Sequence, residues 1–387
     1  MSQHFLAINP RMTSKPFVIS NKVRDLRLKS VTNKLHSCSR RHIAAEYVRM
    51  STLPQKVRAK TDGPDIHEAV SSESTPSIRV TATNLKRRRL SRPRVMTGKE
   101  RRWINPNKGV LKVLERKIDK LVSRYLYPHL SALWHPYSWV LEKRFALAET
   151  SLAPKGWPSE LDRLRVLLIS DIHSGAFLNP KTLSKIIDSL MDLKPDLVAI
   201  AGDMVSGHSS EVKTVLNSLA PLAQAPLGAW YCHGNHDYFG GDPEEIRENL
   251  KSIDIQTLKN DSALLTHGKG KFILGGIDDR VLGAPDWKST LSRHGPPHLL
   301  LAHNPDDFYD AEANGIPLIL SGHTHGGQIR LPNGPPILRQ SRFCLDEGVF
   351  AFRSSLLVVS RGLGSVGLPW RWGADPEAVL IEIVPPR

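Results

Sequence analysis

Cysteine is scarce in this 387-residue chain: there are three, Cys38, Cys232 and Cys344, and they lie far apart. That spacing excludes a CxxC metal site and a disulfide framework, and it fits a reducing, cytoplasmic compartment. Long apolar runs are missing too. No stretch approaches ~18 consecutive apolar residues, so no membrane-spanning helix is expected. The first residues lack a basic segment leading into an apolar one, so no secretory signal peptide is expected. No internal repeat is visible.

Acidic residues are short in one region. Residues 1–100 hold 21 Lys and Arg against 7 Asp and Glu, and residues 101–150 hold 10 against 4, whereas residues 151–387 carry a net −5. The overall charge of +15 therefore describes the N-terminal third and not the remainder. A basic third of this kind favours anionic surfaces, whether membrane, nucleic acid or acidic protein.

Residues 1–105 lack sustained periodicity and carry the run Lys86-Arg87-Arg88-Arg89. Low hydrophobicity with high charge predicts a disordered extension, which is either a tether or a solvated tail. Residues 106–160 are expected to hold an amphipathic helix and a connecting segment. Over 109–126, Val110, Leu111, Leu114, Ile118, Leu121, Val122 and Tyr125 recur at helical spacing, with Lys112, Arg116, Lys117, Lys120 and Arg124 between them. Such a helix either lies on an anionic membrane or packs its apolar stripe on a neighbouring domain. Trp134, Tyr137 and Trp139 follow, and they suit an interface or a core equally.

Residues 161–387 read as one catalytic domain. Apolar runs at 165–170, 196–201, 228–232, 272–276, 298–302, 318–320, 355–360 and 379–384 predict strands, with helices near 181–193 and 209–220. The pattern is α/β. Five polar segments each follow an apolar run: Asp171-Ile172-His173, Gly202-Asp203, Gly234-Asn235-His236-Asp237, His303 and Gly322-His323-Thr324-His325. Singly these are weak signals. Asp-x-His is common, Gly-Asp is often a turn, and Asn-His-Asp can be a helix cap. Their joint order at successive strand ends points to a metal site, because α/β folds place their chemistry there. In an extended backbone, residues i and i+2 point the same way, so Asp171 with His173 can reach one ion, and His323 with His325 likewise. Asp203 can place one carboxylate oxygen on each of two ions, and Asn235 adds a neutral oxygen. Imidazole, carboxylate and carbonyl donors together suit Mn, Zn, Fe or Co better than Ca or Mg.

This set resembles the calcineurin-like metallophosphoesterase superfamily over about residues 163–387. Leu300–Asp306, Ser321–Ile329 and Ser360–Gly364 more narrowly resemble a bacterial branch of membrane-associated phosphodiesterases, which includes UDP-2,3-diacylglucosamine pyrophosphatases. The resemblance implies a four-layer α/β/β/α sandwich of two mixed sheets. It implies two divalent ions, with Mn favoured over Zn or Fe. Asp171, His173, Asp203 and His325 would hold the first, and Asp203, Asn235, His303 and His323 the second. The implied reaction is hydrolysis of a phosphodiester or pyrophosphate by hydroxide that two metals activate, with His236 protonating the leaving oxygen and Asp237 orienting His236. The sequence departs from the family pattern in two places: Asp237 stands where Glu is frequent, and Met204–Gly207 contains no acidic residue.

Arg361, in a glycine-rich loop, is expected either to approach a phosphate bidentately or to form a structural salt bridge. Leu368-Pro369-Trp370-Arg371-Trp372 either contacts acyl chains or packs on the domain. The substrate expected is lipid-linked, as in UDP-2,3-diacylglucosamine, with peripheral contact at the inner face of the cytoplasmic membrane through 109–126. The alternative is a soluble phosphodiesterase or nuclease, for which the basic N-terminus is the only nucleic-acid feature. A degenerate, non-enzymatic scaffold is disfavoured, since every expected metal ligand is present.

Overall fold

The computed structural model describes residues 85–100, 136–239, 241–331, 334–337 and 339–386. Spatial clustering divides the chain into Met1–Ser74 and Thr75–Arg387, and every described residue belongs to the second unit.

Two seven-stranded sheets form this unit. The first contains β1 (Lys86–Arg89), β3 (Ala146–Leu152), β4 (Leu164–Ile169), β5 (Leu197–Ala201), β6 (Ala229–Cys232), β7 (Ile255–Thr257) and β14 (Glu377–Ile383), in the order β1-β3-β14-β4-β5-β6-β7. The second contains β2 (Arg94–Val95), β8 (Asp261–His267), β9 (Gly270–Gly276), β10 (Leu299–Leu301), β11 (Leu318–Ser321), β12 (Gly348–Phe352) and β13 (Ser355–Val359), in the order β2-β12-β13-β11-β10-β9-β8. Both sheets are mixed. Strand β14 runs antiparallel to β4, as β12 does to β13 and β8 to β9.

Alternation within the strands builds the layers. On β4, Val166 and Leu168 face Leu274, Leu301 and Leu320 of the second sheet in a buried inter-sheet core. Leu167 and Ile169 face the other way, onto Leu183, Ile186 and Ile187 of the helix Pro180–Met191. Leu300, Ile319 and Leu357 meet Phe308 and Ile316 on the outer face of the second sheet. Three apolar layers separate four structural layers, which is the α/β/β/α sandwich. Each fully buried aliphatic side chain contributes about 1.5–3 kcal/mol. The helix Pro180–Met191 begins where Asn179 accepts from the backbone N–H groups of Lys181 and Thr182, with proline at its first position.

Strands β4, β5 and β6 are parallel neighbours, as are β10 and β11. Their C-terminal ends therefore open at one edge, where the five polar segments emerge.

Two expectations need correction. The predicted extension over 1–105 is not uniformly irregular: Lys86–Arg89 forms β1, paired parallel with β3, and Arg94–Val95 forms β2, paired with β12. Ion pairs explain why a basic run sits on a sheet edge. Lys86 meets Asp375, Arg87 meets Glu149, and Arg88 Nη2 lies 2.7 Å from the fully buried Glu377 carboxylate. Leu85 and Met96 are buried as well. Within the predicted connecting segment, Ala146–Leu152 is β3, inside the first sheet. The helix expected over 109–126, and Trp134, lie outside the described residues, whereas Tyr137 is buried and Trp139 exposed.

A chain shortened to begin at Arg101 loses β1, β2, Leu85 and Met96. Burial of those two side chains alone is worth roughly 3–6 kcal/mol, so the shortened chain should melt well below the full chain. Calorimetry on both tests this, and equal melting temperatures would show that the two strands contribute nothing.

Candidate metal centre

The ligand segments have a backbone that the extended-strand argument did not anticipate. Asp171, His173, Asp203, His323 and His325 all have positive φ, between 48° and 71°. For non-glycine residues this costs of order 1–3 kcal/mol each and clusters at functional sites. The Asp171 and His173 side chains therefore converge through a left-handed turn and not through an extended strand, while His323 and His325 diverge. Leu363 and Gly364 donate backbone N–H groups to the carbonyls of Ser170 and Asp171 and hold the first turn in place.

Glycine makes close approach possible at two points. A Cβ on Gly234 would lie 2.2 Å from Asp203 Oδ1, and one on Gly202 would lie 2.4 Å from His303 Nδ1. No other residue fits either position without moving a ligand-type side chain.

Two groups result, buried apart from the half-buried His323. In the first, Asp171, His173 and His325 bring one donor atom each within 4.8 Å of one another; in the second, Asp203, His303 and His323 do the same. His173 Nε2 lies 3.1 Å from His325 Nε2, and His325 Nε2 lies 3.5 Å from Asp171 Oδ1. His303 Nε2 lies 3.2 Å from His323 Nδ1. Donors held at ~2.0–2.2 Å around a single ion stand roughly 3.0–3.5 Å from one another, so the spacing fits. Thus His323 and His325, two residues apart, face different groups and do not share one ion.

Asp203 lies between the groups, its Oδ2 3.5 Å from His173 Nε2 and 3.2 Å from His303 Nε2. A single oxygen faces both, because Oδ1 accepts from the His236 backbone N–H at 2.8 Å. Asn235 Oδ1 is buried without a hydrogen-bond partner. A buried carbonyl oxygen left unpaired is costly, and a cation would satisfy it.

Electrostatics suit His173 and His325 to cation binding. Burial pushes the His173 pKa down to about 3, against the pull of Asp203. Burial, aided by the Arg371 guanidinium, holds His325 well below the ordinary histidine range. Both rings are neutral, as ligation requires. Burial would also lower His303, but the Asp203 charge outweighs it and holds His303 well above its usual value. Burial alone would raise Asp203, but His303 and His236 outweigh it and keep the carboxylate ionised. His303 Nδ1–H donates to the Ala201 carbonyl at 2.8 Å, which directs Nε2 toward the second group.

Asp237 does not orient His236. Its carboxylate accepts from the backbone N–H groups of Gly234 (2.7 Å), Met204 (2.9 Å) and Asp203 (3.2 Å), and from the Tyr231 hydroxyl. It fixes the loop that carries Asp203. Adjacent side chains diverge, and His236 turns away to donate from Nδ1 to the Ser206 carbonyl at 2.7 Å.

Arg361 is also placed differently from the open phosphate clamp. It is buried, and its Nε and Nη2 lie 2.9 and 2.8 Å from Glu377 Oε2, with Glu347 Oε2 3.2 Å from Nε. Two carboxylates take up the fork that a phosphate would need. A different cation, Arg371, touches the ligands. It is fully buried, donates to Gly364 and Arg361 carbonyls, and lies 2.9 Å from His325 Nδ1. Around it the apolar residues point outward: Leu368, Trp370 and Trp372 are exposed. In-and-out alternation along Leu368–Trp372 was the available signal, but an arginine on the inner side reads as a surface residue unless its carbonyl partners are known.

Residues 164–327 match the family model for calcineurin-like phosphoesterases. The chain is 31% identical over 270 residues to the uncharacterized metallophosphoesterase YkuE of Bacillus subtilis, covering 67% of this chain and 88% of that protein. The chain is a member of the calcineurin-like metallophosphoesterase family. This metallophosphoesterase is also 34% identical to phosphodiesterase YaeI of Escherichia coli, over 57% of this chain and 82% of that protein. A zebrafish (Danio rerio) transmembrane protein with a metallophosphoesterase domain is 34% identical over 58% of this chain, which spans about half (54%) of it. As a metallophosphoesterase, the protein is a hydrolase of phosphoric esters that uses divalent metal ions.

Proposed function

We propose that the protein hydrolyses a phosphodiester or pyrophosphate bond in a lipid-linked substrate, of which UDP-2,3-diacylglucosamine is the example to test first, with Mn²⁺ as the favoured ion. The observation that carries the lipid reading is an exposed apolar surface beside the metal centre. Leu331, Ile337, Leu368, Trp370 and Trp372 are between 42% and 59% exposed. They lie on two loops joined by backbone hydrogen bonds, Trp372 N–H to Gln328 O and Arg330 N–H to Trp372 O. The first loop leaves from His325 and the second from Gly364, which touches Asp171. Trp139 extends the surface by stacking on Trp370, with ring centroids 6.2 Å apart and 8° between planes. Exposed tryptophan and leucine on loops that leave the ligand segments suit a substrate with an anionic head and acyl chains. Peripheral contact at the inner face of the cytoplasmic membrane, aided by the basic segment 109–126, belongs to the same reading. Among the described residues no helix is long and apolar enough to cross a membrane.

In this reading Asp171, His173, Asp203 and His325 hold one ion, and Asp203, Asn235, His303 and His323 hold the other. When bound, the pair supplies positive charge for the phosphoryl oxygens and lowers the pKa of water to yield a nucleophile at neutral pH. The protein groups do the rest. Asp237 fixes the Asp203 loop, Arg371 contacts His325 Nδ1, and His236 delivers a proton from Nε2 to the leaving oxygen. The nuclease alternative draws less support, because Lys86, Arg87 and Arg88 are engaged in ion pairs within the fold.

Incubation of the full chain with UDP-2,3-diacylglucosamine and Mn²⁺ should release UMP. Hydrolysis of bis-p-nitrophenyl phosphate without UMP release would remove the lipid assignment while leaving the phosphoesterase intact.

A further inference from the structure

One peptide group connects His236 to a carboxylate. The Ser206 carbonyl accepts from His236 Nδ1–H at 2.7 Å, and the N–H of the same peptide, on Gly207, donates to Glu211 Oε2 at 3.0 Å. The Ser206 N–H also reaches Glu211 Oε2, at 3.0 Å. Glu211 sits in the 3-10 turn Ser209–Thr214, and the chain leaves room for its carboxylate: a Cβ on Gly175 would lie 3.0 Å from it. From the opposite side, the Ser206 hydroxyl donates to the His173 carbonyl at 3.1 Å and the Ser206 N–H shares the Ser174 carbonyl at 3.0 Å. The peptide therefore has one orientation, with its oxygen aimed at the imidazole.

We infer that Glu211 is a positioning residue for leaving-group protonation, acting on His236 through the Ser206–Gly207 peptide. A charge-assisted hydrogen bond at a peptide N–H polarises the group and strengthens its carbonyl as an acceptor. The carbonyl then fixes the ring through Nδ1, and so sets where Nε2 lies relative to the leaving oxygen. This is the orientation an acidic residue gives a catalytic histidine by direct contact, relayed here by one peptide. It also accounts for the absence of an acidic residue within Met204–Gly207, since the carboxylate arrives from position 211. The inference rests on the phosphoesterase reading and on His236 as the proton donor.

The test uses two diesters that differ in how much they need an acid: bis-p-nitrophenyl phosphate, whose leaving group departs readily, and diphenyl phosphate, whose leaving group does not. General-acid assistance is worth ~10²–10⁴-fold, so partial loss through Glu211→Ala should lower kcat/KM for diphenyl phosphate by roughly 10–10²-fold and for bis-p-nitrophenyl phosphate by less than about threefold. Glu211→Gln keeps an acceptor oxygen without the charge and should fall between Glu211→Ala and the parent. In a His236→Ala background, adding Glu211→Ala should change nothing further. Metal content of Glu211→Ala should equal the parent's. Equal losses on both substrates, or losses that add in the His236→Ala background, overturn the inference. A parent chain that hydrolyses neither diester overturns the phosphoesterase reading and this inference with it.

Discussion

Asp237→Ala should be the most destabilising single substitution at the site, by roughly 4–6 kcal/mol. The carboxylate accepts from three backbone N–H groups within 3.2 Å and from the Tyr231 hydroxyl, and it is fully buried. Each buried donor left unpaired costs about 1–3 kcal/mol, and water has poor access to replace the lost acceptor. Asp237→Asn should lie between the two, because one of its amide faces turns a donor toward existing donors. Urea denaturation of the three proteins measures the differences. A shift below about 1 kcal/mol for Asp237→Ala would mean that the loop carrying Asp203 is held by something else.

Asp203→Ala should reduce phosphodiester hydrolysis by roughly 10³-fold or more, since it removes a side chain that faces both ligand groups, and several kcal/mol of transition-state charge stabilisation go with it. Removing His236 should cost about 10²–10⁴-fold, dependent on the leaving group. The Asp203 carboxylate accepts from one backbone group, that of His236, and a thermal melt of the variant beside the kinetics separates loss of fold from loss of chemistry. Steady-state kinetics on bis-p-nitrophenyl phosphate separate the outcomes, and residual activity within tenfold of the parent would sink the bridging role.

The ligand-type residues were legible because each follows a short apolar run, and a buried parallel strand leaves little choice of where its next polar residue goes. Strands β4, β5, β6, β10, β11 and β13 sit where their apolar runs predicted. Strand β3 was missed because Ala146–Leu152 contains alanine, glutamate, threonine and serine and resembles a connecting segment. Strand β1 was missed for a stronger reason. Lys86–Arg89 becomes a strand through Asp375, Glu149 and Glu377, and two of those partners lie almost 300 positions away in sequence. The left-handed backbone at Asp171, His173, His323 and His325 leaves no trace in composition. The roles of Asp237, Arg361 and Arg371 depend on which carbonyls, amides and carboxylates surround them, and tertiary packing alone decides that. Arg361 and Arg371 illustrate the point: of the two roles open to Arg361 the salt bridge is the one formed, with two glutamates, and Arg371, read only as part of Leu368–Trp372, touches a histidine of the metal centre.

Metal counting on the full chain tests the two-ion centre most directly. The purified protein, stripped with a chelator and reloaded with Mn²⁺, should bind two ions per chain and regain diester hydrolysis in step with their binding. Asp203→Ala, treated identically and still folded, should retain neither ion tightly. A parent chain that hydrolyses diesters at full rate after complete metal removal would contradict the account, as would an Asp203→Ala chain that binds both ions as tightly as the parent.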